Sequence, residues 1–249
     1  MAAPPLLEMS DVSVSFDGFY ALTDLSIRLL PGELRSIIGP NGAGKTTFLD
    51  VITGKVRPTK GSVSFRGQPL KGLSEQKISR LGIGRKFQTP RVFDNLSVIR
   101  NLELAAVPAK NPLGLLTDKL PNSVRDDVQR LLNYVGLAPY ARRSAGSLSH
   151  GQKQWLAIAM VVAQSPQLIL LDEPVAGLTD EETSRTADLI KSLAGEHTVV
   201  VIEHDMEFIR DLNAPVTVLH QGSVLTEGFL ETVKSDPKVI EVYLGQSQD

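Results

Sequence analysis

A glycine-rich stretch with one lysine, GPNGAGKT at residues 39–46, contains residue types that bind phosphate. It matches the pattern G-x-x-x-x-G-K-[ST], in which glycines let backbone N–H groups turn inward towards phosphate oxygens. Lys45 would reach the β- and γ-phosphates of a nucleoside triphosphate, and the Thr46 hydroxyl would bind Mg²⁺. The apolar run in ELRSIIG predicts a strand before the motif, and KTTFLDVITG predicts a helix after it. This context favours a phosphate-binding loop over an accidental glycine turn.

A second candidate is the acidic pair in LILLDEP at residues 168–174. A near-continuous apolar strand would place Asp172 at its carboxyl end, beside the phosphates, where it could hold a magnesium ion. Glu173 would then polarise an attacking water. Such a pair alone is usually only a strand end, but its combination with the phosphate-binding loop favours a nucleotide site.

A serine and a histidine are adjacent in SLSHGQKQW at residues 147–155. A serine hydrolase would need a strand-to-helix elbow such as G-x-S-x-G and a third group that orients the histidine. Neighbouring residues on a helix do not face each other, so Ser149 and His150 do not fit a nucleophile and its base. Ser149 also fits an ordinary N-cap of the helix predicted from GQKQWLAIAMVVA.

The order of these motifs along the chain is specific. A glutamine in KFQ (86–88) follows the phosphate-binding loop, and the acidic pair follows the serine-histidine stretch. A histidine then closes the apolar run in VIEHD. On these motifs the sequence resembles the nucleotide-binding subunits of ATP-binding cassette (ABC) transporters over nearly its whole length. In that family the L-S-G-G-Q signature heads a helix that contacts ATP held by a partner subunit.

The resemblance implies a role for each matching residue. Glu173 would be the general base, His204 the switch histidine at the γ-phosphate, and Gln88 the link between the magnesium shell and the helical subdomain. Magnesium would be held by Thr46, Gln88 and Asp172. The partner's ATP would be contacted by Ser149, Gly151 and Gln152. ATP itself would be bound by Phe16, which competes with Phe19 and Tyr20 as the adenine-stacking aromatic, and by the loop residues Asn41, Gly42, Ala43, Gly44, Lys45, Thr46 and Thr47.

Two positions depart from the family pattern. His150 occupies the place of the first glycine in the signature pair, although Gly151 is kept. In the loop VAGLTD the usual aspartate position is taken by Thr179, with Asp180 one place later. We expect a functional signature with an unusual substituent at position 150. How this subunit would signal across a dimer through the VAGLTD loop stays open.

The resemblance implies an α/β P-loop NTPase fold. It has a mixed, largely parallel core sheet, an N-terminal antiparallel β-subdomain and an inserted α-helical subdomain. We expect a single ABC ATPase domain over residues 1–249. Its catalytic core would comprise 1–88 and 164–249, and the helical subdomain 89–163 would carry the signature.

Hydrophobic periodicity independently predicts many of these elements. Alternation from Leu7 to Leu30 predicts half-exposed antiparallel strands. Further strands are predicted at 61–65, 168–172 and 198–204, and VTVLHQGSVL is expected to form another strand-like segment. Helices are predicted in IRNLELAA, VRDDVQRLLNYVGL, EETSRTADLIKSLAG and DPKVIEVYLG, with a surface loop from Pro108 to Pro121.

Composition excludes several classes of function. The 249 residues contain no cysteine, which excludes disulfides, thiol catalysis and thiolate metal sites. A net charge of −2, with both signs interspersed, gives no basis for broad binding to nucleic acid or to an anionic membrane face. The N-terminus lacks the pattern of a signal peptide, and no window approaches the roughly 18 uninterrupted apolar residues of a membrane helix. We therefore expect a cytoplasmic chain that does not itself span the membrane.

Subfamily features indicate which cassette ATPase this is. RKFQTPRVFDNLSVIRNLELA and DEPVAGLTDEET resemble the branched-chain amino-acid importer group. GIGRKFQTP and VTVLHQGSVLTEG are most similar to an ATP-binding subunit of the urea importers, so urea is the expected solute. A branched-chain amino acid, or another amide or amino acid, is the alternative.

Family membership also implies partners. They are a second ATP-binding subunit, identical or related, two membrane subunits, and an external solute-binding protein that acts indirectly. The chain would lie on the inner face of the membrane, with the membrane subunits docking near Thr89–Leu96. Val92 and Phe93 could anchor that contact beside Arg91, or they could pack within the helical insert.

Two other classes of function remain as rivals. A soluble cassette ATPase of DNA repair or translation usually has two cassettes or a long coiled-coil insertion, and this chain has neither. A P-loop kinase or GTPase would need an acceptor site or an N-K-x-D element, and it would leave the signature stretch unexplained.

Overall fold

The computed structural model of the chain describes residues 3–107 and 121–244. In chain order the strands are β1 (Leu7–Phe16), β2 (Phe19–Leu29), β3 (Leu34–Ile38), β4 (Lys60–Phe65), β5 (Gln68–Pro69), β6 (Ile83–Lys86), β7 (Leu168–Asp172), β8 (Thr198–Ile202), β9 (Val216–His220) and β10 (Ser223–Gly228). The helices are α1 (Lys45–Ile52), α2 (Glu75–Arg80), α3 (Val98–Ala106), α4 (Asn122–Tyr134), α5 (His150–Val162), α6 (Asp180–Leu193), α7 (Met206–Leu212), α8 (Leu230–Lys234) and α9 (Pro237–Leu244).

The N-terminal strands form an antiparallel sheet in the order β2-β1-β4-β5. The pair of β1 with β2 places Leu7 opposite Leu29, and buried and exposed residues largely alternate along β2. One face of such a sheet packs on a core while the other meets water. The predicted antiparallel strands are therefore confirmed.

A second, six-stranded sheet has the order β10-β9-β3-β8-β7-β6. Strands β9, β3, β8, β7 and β6 run parallel, and β10 is antiparallel at one edge. The parallel strands β7 and β8 are apolar almost throughout because both faces of the sheet are covered. Leu168 and Leu170 face one core, shared with β1, β2 and α1, while Ile169 and Leu171 face another beside α6 and α7.

The helical insert has a third core of its own. Leu102 of α3, Leu132 of α4 and Leu156 of α5 are buried in it. Helix α5 also contributes Ile158 and Val161 to the core beneath the six-stranded sheet, so it joins the insert to the sheet. The predicted helices of this region are present. The predicted loop falls, except for Pro121, on residues outside the described part of the chain.

Several predicted elements were wrong in detail or missed. VTVLHQGSVL is not one strand but the hairpin of β9 and β10, which turns at Gln221 with φ 47°. The strand predicted at 198–204 ends at Ile202: the Glu203 N–H still donates to Ile37 of β3, but the Glu203 carboxylate accepts from the backbone N–H groups of Val175 and His204 instead of the strand continuing. Strand β6 and the short helices α2, α7 and α8 were missed because they are short, and β6 reads IGRK, without an apolar run. No helix in residues 3–107 and 121–244 has the length and apolar character needed to cross a membrane.

Candidate functional site

The phosphate-binding loop joins β3 to α1, as predicted. Gly44 precedes the first helical residue with φ 98°, and a Cβ there would lie 2.6 Å from the Ala21 carbonyl oxygen, so only glycine fits. The Lys45 ammonium folds back and donates to the carbonyl oxygens of Gly39 (2.5 Å) and Pro40 (2.9 Å). Burial lowers the pKa of Lys45, while Glu173 and Asp172 oppose that shift. The loop thus holds its cation where a phosphate would sit.

A cavity of about 400 Å³ opens beside this loop. Glu173 and His204 line it together with Gly39, Pro40, Asn41 and Met206. Three motifs that lie far apart in the sequence therefore meet at the carboxyl ends of β3, β7 and β8. This is the edge of a parallel sheet where ligands of α/β proteins bind.

Glu173 is placed by its backbone and by two side chains. Its φ is 44°, and its N–H donates to the Ile202 carbonyl oxygen (3.0 Å), so the residue turns away from the end of β7. The Gln88 amide Nε2 donates to Glu173 Oε2 (2.5 Å), and His204 Nδ1 lies 3.9 Å from Oε1. The three residues predicted to be catalytic are therefore neighbours, with the carboxylate between an amide and an imidazole.

Asp172 ends β7 and is held by an arginine that sequence reasoning missed. The guanidinium of Arg85 donates to Asp172 Oδ2 (2.9 Å) and to Asp50 Oδ1 of α1 (2.5 Å). The side chain of Arg85 is 5% exposed, so both ion pairs lie largely out of water. Arg85 therefore ties β6 to both the β7 end and the helix that follows the phosphate-binding loop.

The oxygen donors predicted for magnesium fit that ion. Mg²⁺ prefers oxygen ligands and usually takes one or two from the protein, with phosphate and water completing its shell. Thr46 supplies a hydroxyl, Asp172 retains an oxygen not used by Arg85, and Gln88 retains its amide oxygen because Nε2 points to Glu173. Within the described residues no cluster of three or more histidines, cysteines or carboxylates could hold a metal ion.

A buried lysine lies behind Asp172 and Glu173. Lys86 is 2% exposed, and its ammonium is 3.3 Å from the carbonyl oxygens of Asp172 and Glu173 and 3.5 Å from that of Gln88. Burial lowers the pKa of Lys86 to about 8, although Asp172, Glu203 and Glu173 oppose the shift. Sequence reasoning missed Lys86 because strand β6 was not predicted.

Glu203, next to the switch histidine, is the other acidic residue that was missed. It is 1% exposed, and its carboxylate accepts from the backbone N–H groups of Val175 (3.1 Å) and His204 (3.0 Å). Burial raises the pKa of Glu203, against the effect of these hydrogen bonds. A glutamate directly after a five-residue apolar strand in VIEHD was the signal that could have found it.

The signature residues lie at the start of α5, where Ser149 is exposed, Gln152 is half-buried and Gly151 is buried. Ser149 caps α5: its hydroxyl accepts from the Gln152 N–H, while Gln152 Oε1 accepts from the Ser149 N–H. A Cβ at Gly151 would lie 2.3 Å from Glu182 Oε1, so a larger residue there would have to displace the Glu182 carboxylate. None of these three residues lines the cavity at this chain's own phosphate-binding loop. The ordinary capping role of Ser149 is thus present, and its contact with a partner's nucleotide stays a prediction.

The two departures from the family pattern have definite surroundings. Thr179 caps α6, since its hydroxyl accepts from the Glu182 N–H (3.3 Å) and Glu182 accepts from the Thr179 N–H (3.1 Å). Asp180 lies in the first turn of α6, where a carboxylate is favourable. His150 Nε2 is 3.1 Å from the Ala176 carbonyl oxygen, and among residues 3–107 and 121–244 no serine hydroxyl is hydrogen-bonded to the His150 ring.

The remaining candidates are at the surface. Phe16, Phe19 and Tyr20 are all exposed, and among the described residues that line the 400 Å³ cavity none is aromatic, so the choice of adenine-stacking residue stays a prediction. In the predicted docking segment Phe93 is 55% exposed, whereas Val92 packs against the third core. Val92 therefore fits packing within the helical insert, and docking through Phe93 stays a prediction.

The chain is similar in sequence to known proteins. A family model described as ABC transporter matches residues 22–176. LivG, the high-affinity branched-chain amino acid transport ATP-binding protein of Escherichia coli K12, is 37% identical over 253 aligned positions, covering 98% of this chain and 99% of LivG. BraF of Pseudomonas aeruginosa, which has the same description, is 36% identical with the same coverage.

Solved structures agree with the fold. An ATP-binding cassette of an ABC transporter in its ADP conformation has a TM-score of 0.85 and 30% identity, covering 98% of this chain and 100% of that one. A dimeric cassette in a post-hydrolysis state, bound to ADP and phosphate, has a TM-score of 0.75 and 27% identity over 90% of this chain and 98% of that one. The predicted cassette fold, with its mixed sheet and antiparallel β-subdomain, is confirmed. The chain belongs to the ABC transporter family, as an ATP-binding, ATP-hydrolysing importer subunit similar to those of the branched-chain amino-acid transport systems.

Proposed function

We propose that this ATPase drives the uptake of branched-chain amino acids through separate membrane subunits. The relatives LivG and BraF match over nearly their full length, and both are described as branched-chain amino acid transport proteins. These relatives favour the alternative solute of the sequence analysis over urea, for which they give no support. A test of solute must therefore compare the two directly.

The reaction chemistry rests on the cluster around Glu173. Its carboxylate would orient and deprotonate the attacking water, while the Gln88 amide and the His204 imidazole fix its direction. Lys45 would leave the carbonyl oxygens of Gly39 and Pro40 to neutralise charge on the β- and γ-phosphates. Thr46, Gln88 and Asp172 would hold Mg²⁺, which neutralises phosphate charge when bound.

The assembly we propose is a dimer of two cassettes with two shared ATP sites. Ser149, Gly151 and Gln152 lie apart from this chain's own phosphate-binding loop, as expected if they serve a partner's ATP. The partner would be a second copy or a related ATP-binding subunit. Two membrane subunits would dock near Thr89–Leu96, where Phe93 is exposed, on the inner face of the membrane, and a solute-binding protein would act outside.

The observation that carries the catalytic proposal is the position of Glu173 between Gln88 and His204 in the cavity beside Lys45. Glu173→Gln keeps the shape of the side chain and removes the base, so we expect ATP turnover to fall about 10²-fold or more while ATP binding is retained. Turnover is measured by phosphate release and binding by calorimetry. Glu181→Gln, on the exposed first turn of α6, is the matched control. Turnover of Glu173→Gln at the parental rate would show that another group is the base.

The solute is tested by uptake in cells. A strain that lacks this chain is given labelled leucine or labelled urea, with the wild-type chain or Glu173→Gln restored. We expect leucine uptake to depend on the wild-type chain and urea uptake not to change. The reverse pattern would reject the solute proposed here without affecting the ATPase assignment.

A further inference from the structure

His150 contacts the segment that follows the catalytic carboxylate, which we call the 173–179 loop. The imidazole Nε2 lies 3.1 Å from the Ala176 carbonyl oxygen. A carbonyl only accepts hydrogen bonds, so Nε2 carries the proton in this contact. One turn further along α5, the buried Gln154 amide lies 3.5 Å from the same nitrogen. The ring therefore lies between the body of its own helix and the loop.

Within the described residues, the backbone of residues 173–176 contacts side chains from three different parts of the fold. Lys86 of β6 is 3.3 Å from the Glu173 carbonyl oxygen, and Glu203, after β8, accepts from the Val175 N–H. His150 of α5 supplies the third contact, at the Ala176 carbonyl oxygen. The first two contacts come from the sheet that carries the catalytic residues. Only the His150 contact comes from the first turn of the signature helix.

Glycines bring the two surfaces close together. Gly177 has φ 74°, and a Cβ there would lie 3.6 Å from the His150 ring. Gly151 lies against the carboxylate of Glu182, which caps the helix that begins after the loop. The first turn of α5 therefore packs on the loop and on the first turn of α6 over two adjacent residues.

We propose that His150 is a positioning residue that couples the signature helix to the catalytic base. The signature helix faces the partner's ATP and Glu173 acts on this chain's own ATP, so movement of α5 on dimer closure pulls on Ala176, three residues from Glu173. A glycine at position 150, the family's usual residue there, has no side chain and cannot make this link. The inference rests on the proposed function, in which two chains share each ATP site. It adds a direct contact, within one chain, between the helix that would face the partner's ATP and the loop that follows the base for the chain's own ATP.

The first test needs neither nucleotide nor partner. Hydrogen exchange of the amides of residues 175–178 is compared between wild type, His150→Ala and His150→Gln. His150→Ala should exchange several-fold faster there, and His150→Gln, whose amide can donate to the same carbonyl, should remain within twofold of wild type. His197→Ala is the matched control, because His197 Nδ1 makes the same kind of contact with the Pro166 carbonyl oxygen (2.6 Å), just before β7 rather than just after it. Equal exchange in wild type and His150→Ala would overturn the proposed contact.

The second test measures turnover. His150→Ala should lower kcat by about three- to tenfold with little change in the KM for ATP, the range expected for loss of one hydrogen bond that positions the base. His150→Gln should restore most of kcat, and His197→Ala should leave it unchanged. A normal kcat in His150→Ala, alongside a strongly impaired Glu173→Gln, would overturn the coupling role and leave the catalytic proposal standing. Normal turnover in Glu173→Gln would instead refute the function on which the coupling rests.

Discussion

At the scale of single residues, the site is organised by two buried cations. Arg85 fixes a carboxylate oxygen of Asp172, so this aspartate presents its other oxygen in one direction only. Lys86 donates to the backbone on both sides of the bond between Asp172 and Glu173. Removing one partner from a buried ion pair costs far more than breaking a surface pair, because the remaining charge stays out of water. These cations therefore hold the geometry that the two acidic residues need for their chemistry.

The lowered pKa of Lys86 predicts a pH dependence of stability. Below pH 8 the lysine is charged in both states, and its burial weakens the folded state. Between about pH 8 and 10.5 the folded chain releases this proton while the unfolded chain keeps it, so the free energy of unfolding rises with pH. In this range the free energy of unfolding rises by about 1.4 kcal/mol for each pH unit. Across the range it should therefore rise by about 3 kcal/mol more in wild type than in Lys86→Met.

Urea denaturation at pH 7.5, 9 and 10.5 measures this difference. Lys71→Met, which removes an exposed lysine, is the control. Its free energy of unfolding should change with pH in the same way as that of wild type. If the difference in free energy of unfolding between wild type and Lys86→Met does not change with pH, or falls as pH rises, Lys86 keeps its proton in the folded chain.

At the scale of elements, α5 and α6 are joined at their N-termini. Both helices begin with a capping box, formed by Ser149 with Gln152 and by Thr179 with Glu182. Glu182 has two roles, because its carboxylate caps α6 and also fills the space beside Gly151. Further along, the Trp155 indole donates to the Thr186 hydroxyl (2.9 Å). The signature helix α5 is therefore fixed to α6, the helix that follows the 173–179 loop.

Gly151→Ala tests this packing. The added methyl would displace the Glu182 carboxylate and break its hydrogen bond to the Thr179 N–H, and a lost cap typically costs about 1–2 kcal/mol. Alanine regains up to about 1 kcal/mol over glycine in a helix, so we expect a net loss of about 0.5–1 kcal/mol in the free energy of unfolding. Chemical denaturation measures the loss. Gly228→Ala is the matched control, since a Cβ there meets its nearest neighbour, Thr232, at 3.6 Å. In a Glu182→Ala background the cost of Gly151→Ala should largely disappear, and a cost that persists would place the strain elsewhere.

At the scale of the whole molecule, the residues proposed to act on ATP fall into two groups that do not share a cavity. The phosphate-binding loop, Glu173 and His204 share one cavity, and the signature residues do not line it. A dimer with twofold symmetry would bring each half against its complement. The dimeric cassette that resembles this chain supports such an assembly.

Mixing two inactive variants tests whether the site is shared. Lys45→Ala removes the phosphate-binding cation, and Ser149→Arg blocks the signature, so neither variant alone should turn over ATP. In an equal mixture, half of the dimers would be mixed and each would contain one intact site, so about a quarter of wild-type turnover should return. Phosphate release is measured after mixing, with circular dichroism to show that Ser149→Arg still folds without its cap. Turnover that stays at zero at every mixing ratio would argue against complementary half-sites.

The sequence by itself determined the residues whose roles depend on local structure. Glycines in a turn between an apolar strand and a helix define the phosphate-binding loop, and an apolar run ending in Asp172 and Glu173 places an acidic pair at a strand end. Periodicity also predicted the helices of the insert, because an amphipathic helix repeats its pattern within a few turns. The family resemblance added Gln88, His204 and the signature residues.

Only the tertiary structure decided which residues support these groups. Arg85 and Lys86 reach the acidic pair because β6 lies beside β7, with Lys86 opposite Leu171, and this strand order is not encoded in any local pattern. The contact of His150 with Ala176 likewise depends on how α5 packs against a loop 26 residues away. Periodicity reports which face of an element is buried but not which neighbour covers it, so contacts between distant elements had to come from the fold.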